Sequence, residues 1–383
     1  MTIAEIQSDE SLRQREFPVS REKIFLAHAG VAPLPNRVSE AVRDYADRCT
    51  LGDQEALLPT HTIRHTRDLA AKLIGAQSTE IAFVGPTSLA LSFVAAALPA
   101  QPGDNIVCYA DDYPSNVYPW MALAERGVEV RKLTVRELGC IQLEDVLTKV
   151  DDRTRLVALA SCHFIAGFRI DHEQIGAALR ERNILFCLDA IQTVGAFPTL
   201  AEHVDFLAAD AHKWMLGPCA AGIFYVRQPL QELLRPIVHG WHNVQCPNFV
   251  SQEKIEFQPD ARRYEAGTGN LLGLVGLRAA LEMLQEIGVG AIAAELQRKR
   301  ARLIPALLAK GYAVVGADAP SPRSSGIVSF FDPKNDLRPL HAKLLARNVI
   351  TSLRSDRSGR SYIRLSPHFY NTDAELDALL NLL

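Results

Sequence analysis

Between positions 81 and 226 the chain alternates short, nearly continuous apolar runs with polar or amphipathic stretches. The runs are Ile81–Val84, Asn105–Tyr109, Val128–Leu133, Arg155–Ala160, Asn183–Ile191, Val204–Ala209 and Ala221–Val226. A strand buried on one face alternates apolar and polar residues, and a strand buried on both does not. These runs therefore predict a largely parallel sheet covered by helices, with Ala221–Val226 closing it. Helices are predicted from an Asn36 cap to about Cys49, over Thr62–Ile74, from Thr87-Ser88 to Leu98, over Leu143–Lys149 and from an Asp171 cap to Glu181. From Leu271 the pattern changes to long amphipathic helices over about 271–287 and 291–310. Short strands follow at Ala313–Val315, Gly326–Phe331, Val349–Leu353 and Tyr362–Leu365, then a terminal helix. That order predicts a separate α+β lobe. The expected division is a large domain over 20–258 and a small domain made of 1–19 and 259–383.

With 383 residues, 48% of them hydrophobic, the chain can bury a large core. The net charge is −3 with acids and bases interspersed, which offers no basic face to nucleic acid. Leu89–Ala100 and the other long apolar stretches are too short to cross a bilayer. Met1–Glu16 lacks the basic start and apolar centre of a signal peptide, so a cytoplasmic protein is expected. The seven cysteines are scattered without a CxxC pair or zinc spacing, which predicts reduced thiols, mostly core filler, and no metal site.

Candidate chemistry concentrates at two strand ends. Val204–Ala209 runs into Asp210, His212 and Lys213, and Asn183–Ile191 carries Asp189 near its end with Gln192 just beyond. Ligands of open parallel sheets sit outside the carboxyl ends of the strands. A lysine there loses hydration, its pKa falls, and the amine becomes nucleophilic. One cofactor needs an amine for its aldehyde and an acid for its ring nitrogen, and that is pyridoxal phosphate. Thr87 and Ser88 open a helix behind Gly85-Pro86, where free amides, the helix dipole and two hydroxyls suit a phosphate.

The run DAIQTVGAFP … VDFLAADAHKWMLGP resembles the class V, fold-type I pyridoxal-phosphate enzymes, which include aminotransferases, cysteine desulfurases, kynureninases and isopenicillin-N-epimerase-like proteins. The likeness extends from about Phe25 to the C-terminus. It implies an α/β large domain with a mostly parallel, mixed seven-stranded sheet, and a smaller α+β C-terminal domain. It also implies that Lys213 binds the cofactor, that Asp189 pairs with the pyridinium, and that Gln192 and His163 bond the phenolic oxygen. Tyr113 takes the place of the ring that stacks on pyridoxal, and His212 reaches toward the phosphate or ring. Arg364, in IRLSPHFYNT, matches the clamp on the substrate α-carboxylate, and His28 lies on a loop that adjoins it. Thr268, in EAGTGN, matches a threonine that reaches the phosphate of a neighbouring subunit, so a homodimer with shared sites is implied. Asp210 departs from the serine of desulfurases and is expected to orient His212. Tyr118 and Trp120 are expected to pack, and His368 and Asn371 to shape the turn before the last helix.

The resemblance leaves the reaction open. A thiol-dependent desulfurase needs a cysteine in the loop before the clamp, and TSLRSDRSGRS, Thr351 to Ser361, has none. We rank first a class V aminotransferase, acting on an amino acid through an external aldimine with a keto acid as partner. An epimerase-like or C–S lyase reaction ranks second. A regulator that merely binds pyridoxal phosphate would carry a DNA-binding appendage, and a cofactor-free lysine aldolase would leave Asp189, Gln192, Thr87 and Ser88 idle.

Overall fold

The computed structural model describes residues 1–383. A two-residue strand, β1 (Ile24–Phe25), precedes β2 (Ile81–Phe83), β3 (Asn105–Cys108), β4 (Glu129–Lys132) and β5 (Thr154–Ala160). Then come β6 (Leu185–Asp189), β7 (Phe206–Ala209) and β8 (Ile223–Val226). The last strands are β9 (Ala313–Val314), β10 (Val328–Phe331), β11 (Val349–Ile350), β12 (Ser352–Ser355) and β13 (Ser361–Leu365). Seven of them form one mixed sheet in the order β2-β8-β7-β6-β5-β3-β4, parallel from β7 to β4 and antiparallel at β8 and β2.

The apolar runs are strands because each face has its own core. Leu207, Ala209, Ile223 and Tyr225 pack on one side, while Phe206, Ala208, Phe224 and Val226 pack on the other. Such two-sided burial produces continuous apolar strands. A second sheet, β12-β13-β10-β9, is antiparallel throughout and has a separate core that includes Val328, Phe330 and Ile363. Short helices Ile3–Ser8 and Glu10–Glu16 dock near the C-terminus, with Arg13 in a buried 2.9 Å ion pair to Glu375.

Several expectations need correction. Strand β8 does not close the sheet, since β2 pairs along its outer edge. The single strand expected over Val349–Leu353 is two, because β11 pairs with β1 and β12 pairs with β13. Asn36 is not a cap: Pro35 holds that position, and the Asn36 side chain donates to Glu40. Tyr118 is 67% exposed and does not pack in the core, whereas Trp120 is buried and donates to Asn116 Oδ1 at 3.0 Å. The cysteines are not mostly core filler either, as only Cys108, Cys162 and Cys187 are buried. The helix Arg338–Ala346 was not foreseen.

Helix His172–Arg180 crosses close to the chain at His203, and a Cβ on Gly176 would lie 2.1 Å from the His203 carbonyl oxygen. Alanine is favoured over glycine in a helix by about 1 kcal/mol. Overpacking against a fixed backbone costs ~1–3 kcal/mol and outweighs that gain. Gly176→Ala should therefore lower the denaturant midpoint. A raised midpoint would show that helix and loop separate freely.

Candidate active site

The carboxyl ends of β6 and β7 bring the acid and the amine together. Asp189 ends β6 and pairs in register with Ala208 of β7. Lys213 follows that strand by one turn. Its side chain is 7% exposed, and its Nζ lies 5.3 Å from the centroid of the Tyr113 ring. Burial pulls the Lys213 pKa down to about 8, the Asp189 carboxylate opposes that fall, and the guanidiniums of Arg364 and Arg354 reinforce it. Asp189 is buried and accepts the Ile191 amide at 3.1 Å. Burial raises its own pKa, and the lysine charge and that amide only partly offset the rise. A second buried acid, Asp112, is raised to about 7 by burial and then by the charge of Asp189. It accepts from the Tyr113 amide at 2.7 Å and from Asn116 at 3.0 Å, and so sets the start of the turn that carries Tyr113.

Beside the lysine, Asp210 joins several chain segments. It accepts from His212 Nδ1 at 2.9 Å and from the amides of Ala211, Ala220 and Ala221 at 2.9–3.0 Å. Burial pushes its pKa up, but the His212 ring and the amides prevail and hold it below the usual carboxylate range. The Asp210 amide donates to Thr87 Oγ1 at 2.9 Å, tying this knot to the N-terminus of helix Thr87–Ala97. The first amides of that helix, at Thr87 and Ser88, have no intrahelical acceptor. Gly85 packs so tightly that a Cβ there would lie 2.6 Å from the Ala220 carbonyl carbon. On the other flank, Gln192 donates to the Ala29 carbonyl at 3.1 Å and accepts from Trp214 Nε1 at 2.9 Å, which leaves one amide hydrogen unused.

Arg364, on β13, is 1% exposed yet meets no carboxylate. Its Nη1 donates to the Phe164 carbonyl at 2.8 Å, Ser352 Oγ lies at 3.5 Å from Nη2, and Nε is buried without a partner. Burial, and then the neighbouring Arg354 charge, draws its pKa down to about 9. A buried guanidinium with an empty donor is poised for an anion.

The structure does not bring every expected residue to the cleft. His28 is fully buried with Nδ1 on the Ser366 carbonyl at 2.9 Å and Nε2 on Tyr370 Oη at 2.7 Å, so it has no edge left for a substrate. Burial also holds its pKa near about 4. The residue of that loop that approaches Arg364 is Gly30, two residues on. His163 likewise spends both ring nitrogens on main chain, Nε2 on the Asp111 carbonyl at 3.0 Å and Nδ1 on the Ala166 amide at 3.0 Å. It is a core histidine in this arrangement and offers no free donor to a phenolic oxygen. His368 does shape the last turn, bonding the Trp214 carbonyl at 3.1 Å, with Asn371 accepting its amide at 2.8 Å. Thr268 stands apart from Lys213, in a groove of about 800 Å³ that Gly85 and Ala220 also line, and it donates to Glu55 at 2.5 Å.

Arg354 was missed by the sequence reading. It lies on β12 diagonally across from Arg364, in the registers Ser352↔Arg364 and Arg354↔Tyr362. Side chains two apart share a strand face, so the alternation in TSLRS and SYIRL was the available signal.

Together, fold and site define an α/β enzyme built around a desolvated lysine at the carboxyl edge of its sheet. Aminotransferase class-V is the family description that matches residues 24–379, and the chain belongs to that family. It is 28% identical to a probable cysteine desulfurase of Methanothermobacter thermautotrophicus, over 96% of this chain and 95% of that one. It is 29% identical to the uncharacterized aminotransferase YcbU of Bacillus subtilis, over 94% and 93%. An apo cysteine desulfurase structure from Thermococcus onnurineus superposes with a TM-score of 0.88 at 24% identity, covering 96% of both chains. Pyridoxal phosphate is the cofactor of such an enzyme, and the donor set fits it. The unpartnered Lys213 amine suits its aldehyde, the buried Asp189 its ring nitrogen, and the open helix N-terminus at Thr87 its phosphate.

In cofactor-free protein, labelling of Lys213 by an amine-selective reagent should rise through pH about 8, well below the ~10.4 of an ordinary lysine. Asp189→Asn removes the charge that favours the ammonium, so the midpoint should move lower still. Peptide mass spectrometry reads the rate, and an unmoved or higher midpoint would refute the pairing.

Proposed function

We propose that the protein is a pyridoxal-phosphate enzyme that breaks a bond at Cα of an amino acid and holds the substrate carboxylate on Arg364. The observation that carries this reading is the pair of buried basic side chains, Lys213 with its lowered pKa and Arg364 with an unpartnered Nε, neither in an ion pair, with Asp189 beside Lys213. The bound cofactor supplies an aldehyde for the substrate amine and a sink for the electrons of the broken bond. Arg364 orients the carboxylate, at ~1.5–3 kcal/mol for each hydrogen bond to a charged group. Lys213 Nζ, with its pKa near about 8, accepts the proton from Cα and can return it. A positioned base of this kind contributes ~10²–10⁴-fold. Asp189 would keep a proton on the ring nitrogen, Tyr113 would lie against the ring, and the unused amide hydrogen of Gln192 would suit the phenolic oxygen.

Two outcomes follow the same proton removal. Aminotransfer needs no further group on the protein. C–S bond cleavage has equal support, because relatives are named cysteine desulfurases. The hairpin between β12 and β13 carries Asp356, Arg357, Ser358, Gly359 and Arg360, so this loop offers no thiol to accept sulfur. Holoenzyme mixed with L-cysteine, L-cystine and other amino acids separates the outcomes. A keto acid bearing the substrate's carbon skeleton indicates aminotransfer, and pyruvate with reduced sulfur indicates a lyase. Lys213→Ala should abolish either product, and Arg364→Ala should weaken the apparent affinity by about tenfold or more. Turnover by both variants at the wild-type rate would overturn the assignment.

We infer in addition that two copies share their sites across the groove lined by Thr268. The groove is broad, it presents the half-exposed apolar side chains of Trp241 and Leu89, and it reaches Gly85 and Ala220, which border the phosphate end of the site. Mixing Lys213→Ala with a Thr268→Arg variant, each inactive alone, should restore activity through hybrid dimers. No recovery between two folded, exchanging dimers would assign Thr268 to its own chain.

A further inference from the structure

Besides Lys213 and Arg364, the cleft contains a third cation that the chemistry above does not use. A Cβ placed on Gly30 would lie 3.7 Å from Arg354 Nη2 and 3.7 Å from Arg364 Nη2. The two guanidiniums thus both come within van der Waals reach of one small space beside Gly30. Neither is neutralised by the protein. Arg354 donates only to the carbonyl of Leu353, at 2.7 Å, and Arg364 only to the Phe164 carbonyl and weakly to Ser352. The hairpin supplies acids elsewhere: Asp356 is engaged by Tyr362 at 2.6 Å and by Ser358, and Asp111 across the cleft pairs with Arg357 at 2.5 Å. No carboxylate has been spent on Arg354.

We propose that Arg354 determines substrate class, binding a second acidic group on the side chain of the amino acid whose α-carboxylate sits on Arg364. This rests on the reading of Arg364 as the carboxylate clamp. One carboxylate can satisfy one guanidinium through two parallel bonds, and the orphaned Nε of buried Arg364 shows that this clamp is incomplete without a ligand. Asp189 is committed to the side of Lys213 and does not reach either arginine by a hydrogen bond. A monoanionic ligand would leave one of the two guanidiniums uncompensated. A substrate with two acidic groups balances both. The diagonal placement of Arg354 and Arg364 on one face of the hairpin suits two anionic groups joined by a short carbon chain. What is required of the terminal group is its negative charge.

The test uses holoenzyme and non-reacting probes, succinate against butyrate and glutarate against valerate, with dissociation constants from calorimetry at neutral pH. One dicarboxylate should bind about tenfold or more tighter than its monocarboxylate partner, the effect of one charge-assisted hydrogen bond. Arg354→Gln should erase that preference and leave the monocarboxylate constant near its wild-type value, while Arg354→Lys should keep part of it. Arg364→Gln should weaken all four probes. Equal binding of the paired probes to wild type would overturn the proposal without any variant, and so would a preference that survives in Arg354→Gln. Spectral change of the cofactor on mixing with amino acids is read separately. If no amino acid perturbs it, the proposed function fails. If aspartate and asparagine, or glutamate and glutamine, perturb it with equal affinity, the acidic-substrate assignment fails while the function stands.

Discussion

Removing the Lys213 amine from water is the constraint to which the rest of the site answers. A buried ammonium is costly unless it is paired and hydrogen-bonded. Here it is offered one close acid, Asp189, which burial makes reluctant to ionise, and two guanidiniums that repel it. The neutral amine is thereby brought within reach of neutral pH. The same low polarity draws down Arg364 and raises Asp112, so the cleft stores electrostatic imbalance on both signs. Stability has to come from elsewhere, from the two cores on either face of the seven-stranded sheet. Such division of labour between scaffold and strained site is general in enzymes.

Asp210 shows how the scaffold keeps that imbalance in register. Its carboxylate gathers three amides and a histidine from the segment around Lys213 and the turn at Ala220, and its own amide reaches Thr87. An acid at this place would repel a phosphate if it faced one. Its lone pairs are turned instead onto protein donors, so the free amides of the helix remain the groups available to the anion. Asp210 thus serves as a brace for this segment, and it holds His212 through Nδ1.

Strands buried on both faces were legible because two-sided burial writes itself as uninterrupted apolar residues, as in Phe206–Ala209 and Ile223–Val226. The acid and lysine were legible because they break those runs at their carboxyl ends. The fate of the histidines was not. His28 and His163 sit near the cleft in sequence, yet each is turned inward by main-chain carbonyls from distant segments, Ser366 and Asp111, and no local pattern encodes that choice. The split of Val349–Leu353 into β11 and β12 was hidden for the same reason, since a change of pairing partner at Thr351 leaves the composition unaltered. Short polar helices at the N-terminus escape notice because their stability lies in docking, here through Arg13 and Glu375.

The hairpin of β12 and β13 then connects substrate choice to architecture. It carries Arg354 and Arg364 on one face, and its tip sends Arg357 to Asp111 and the Ala110 carbonyl, two residues before the turn that bears Tyr113. The tip of the arginine-bearing hairpin is thereby tied to the segment that leads into Tyr113. Under the proposed reading, such a cleft would select by the length and charge of what fits between Lys213 and the guanidiniums. The turn itself carries Asp356 to Arg360 and no cysteine, and Arg357 pairs it with Asp111 across the cleft.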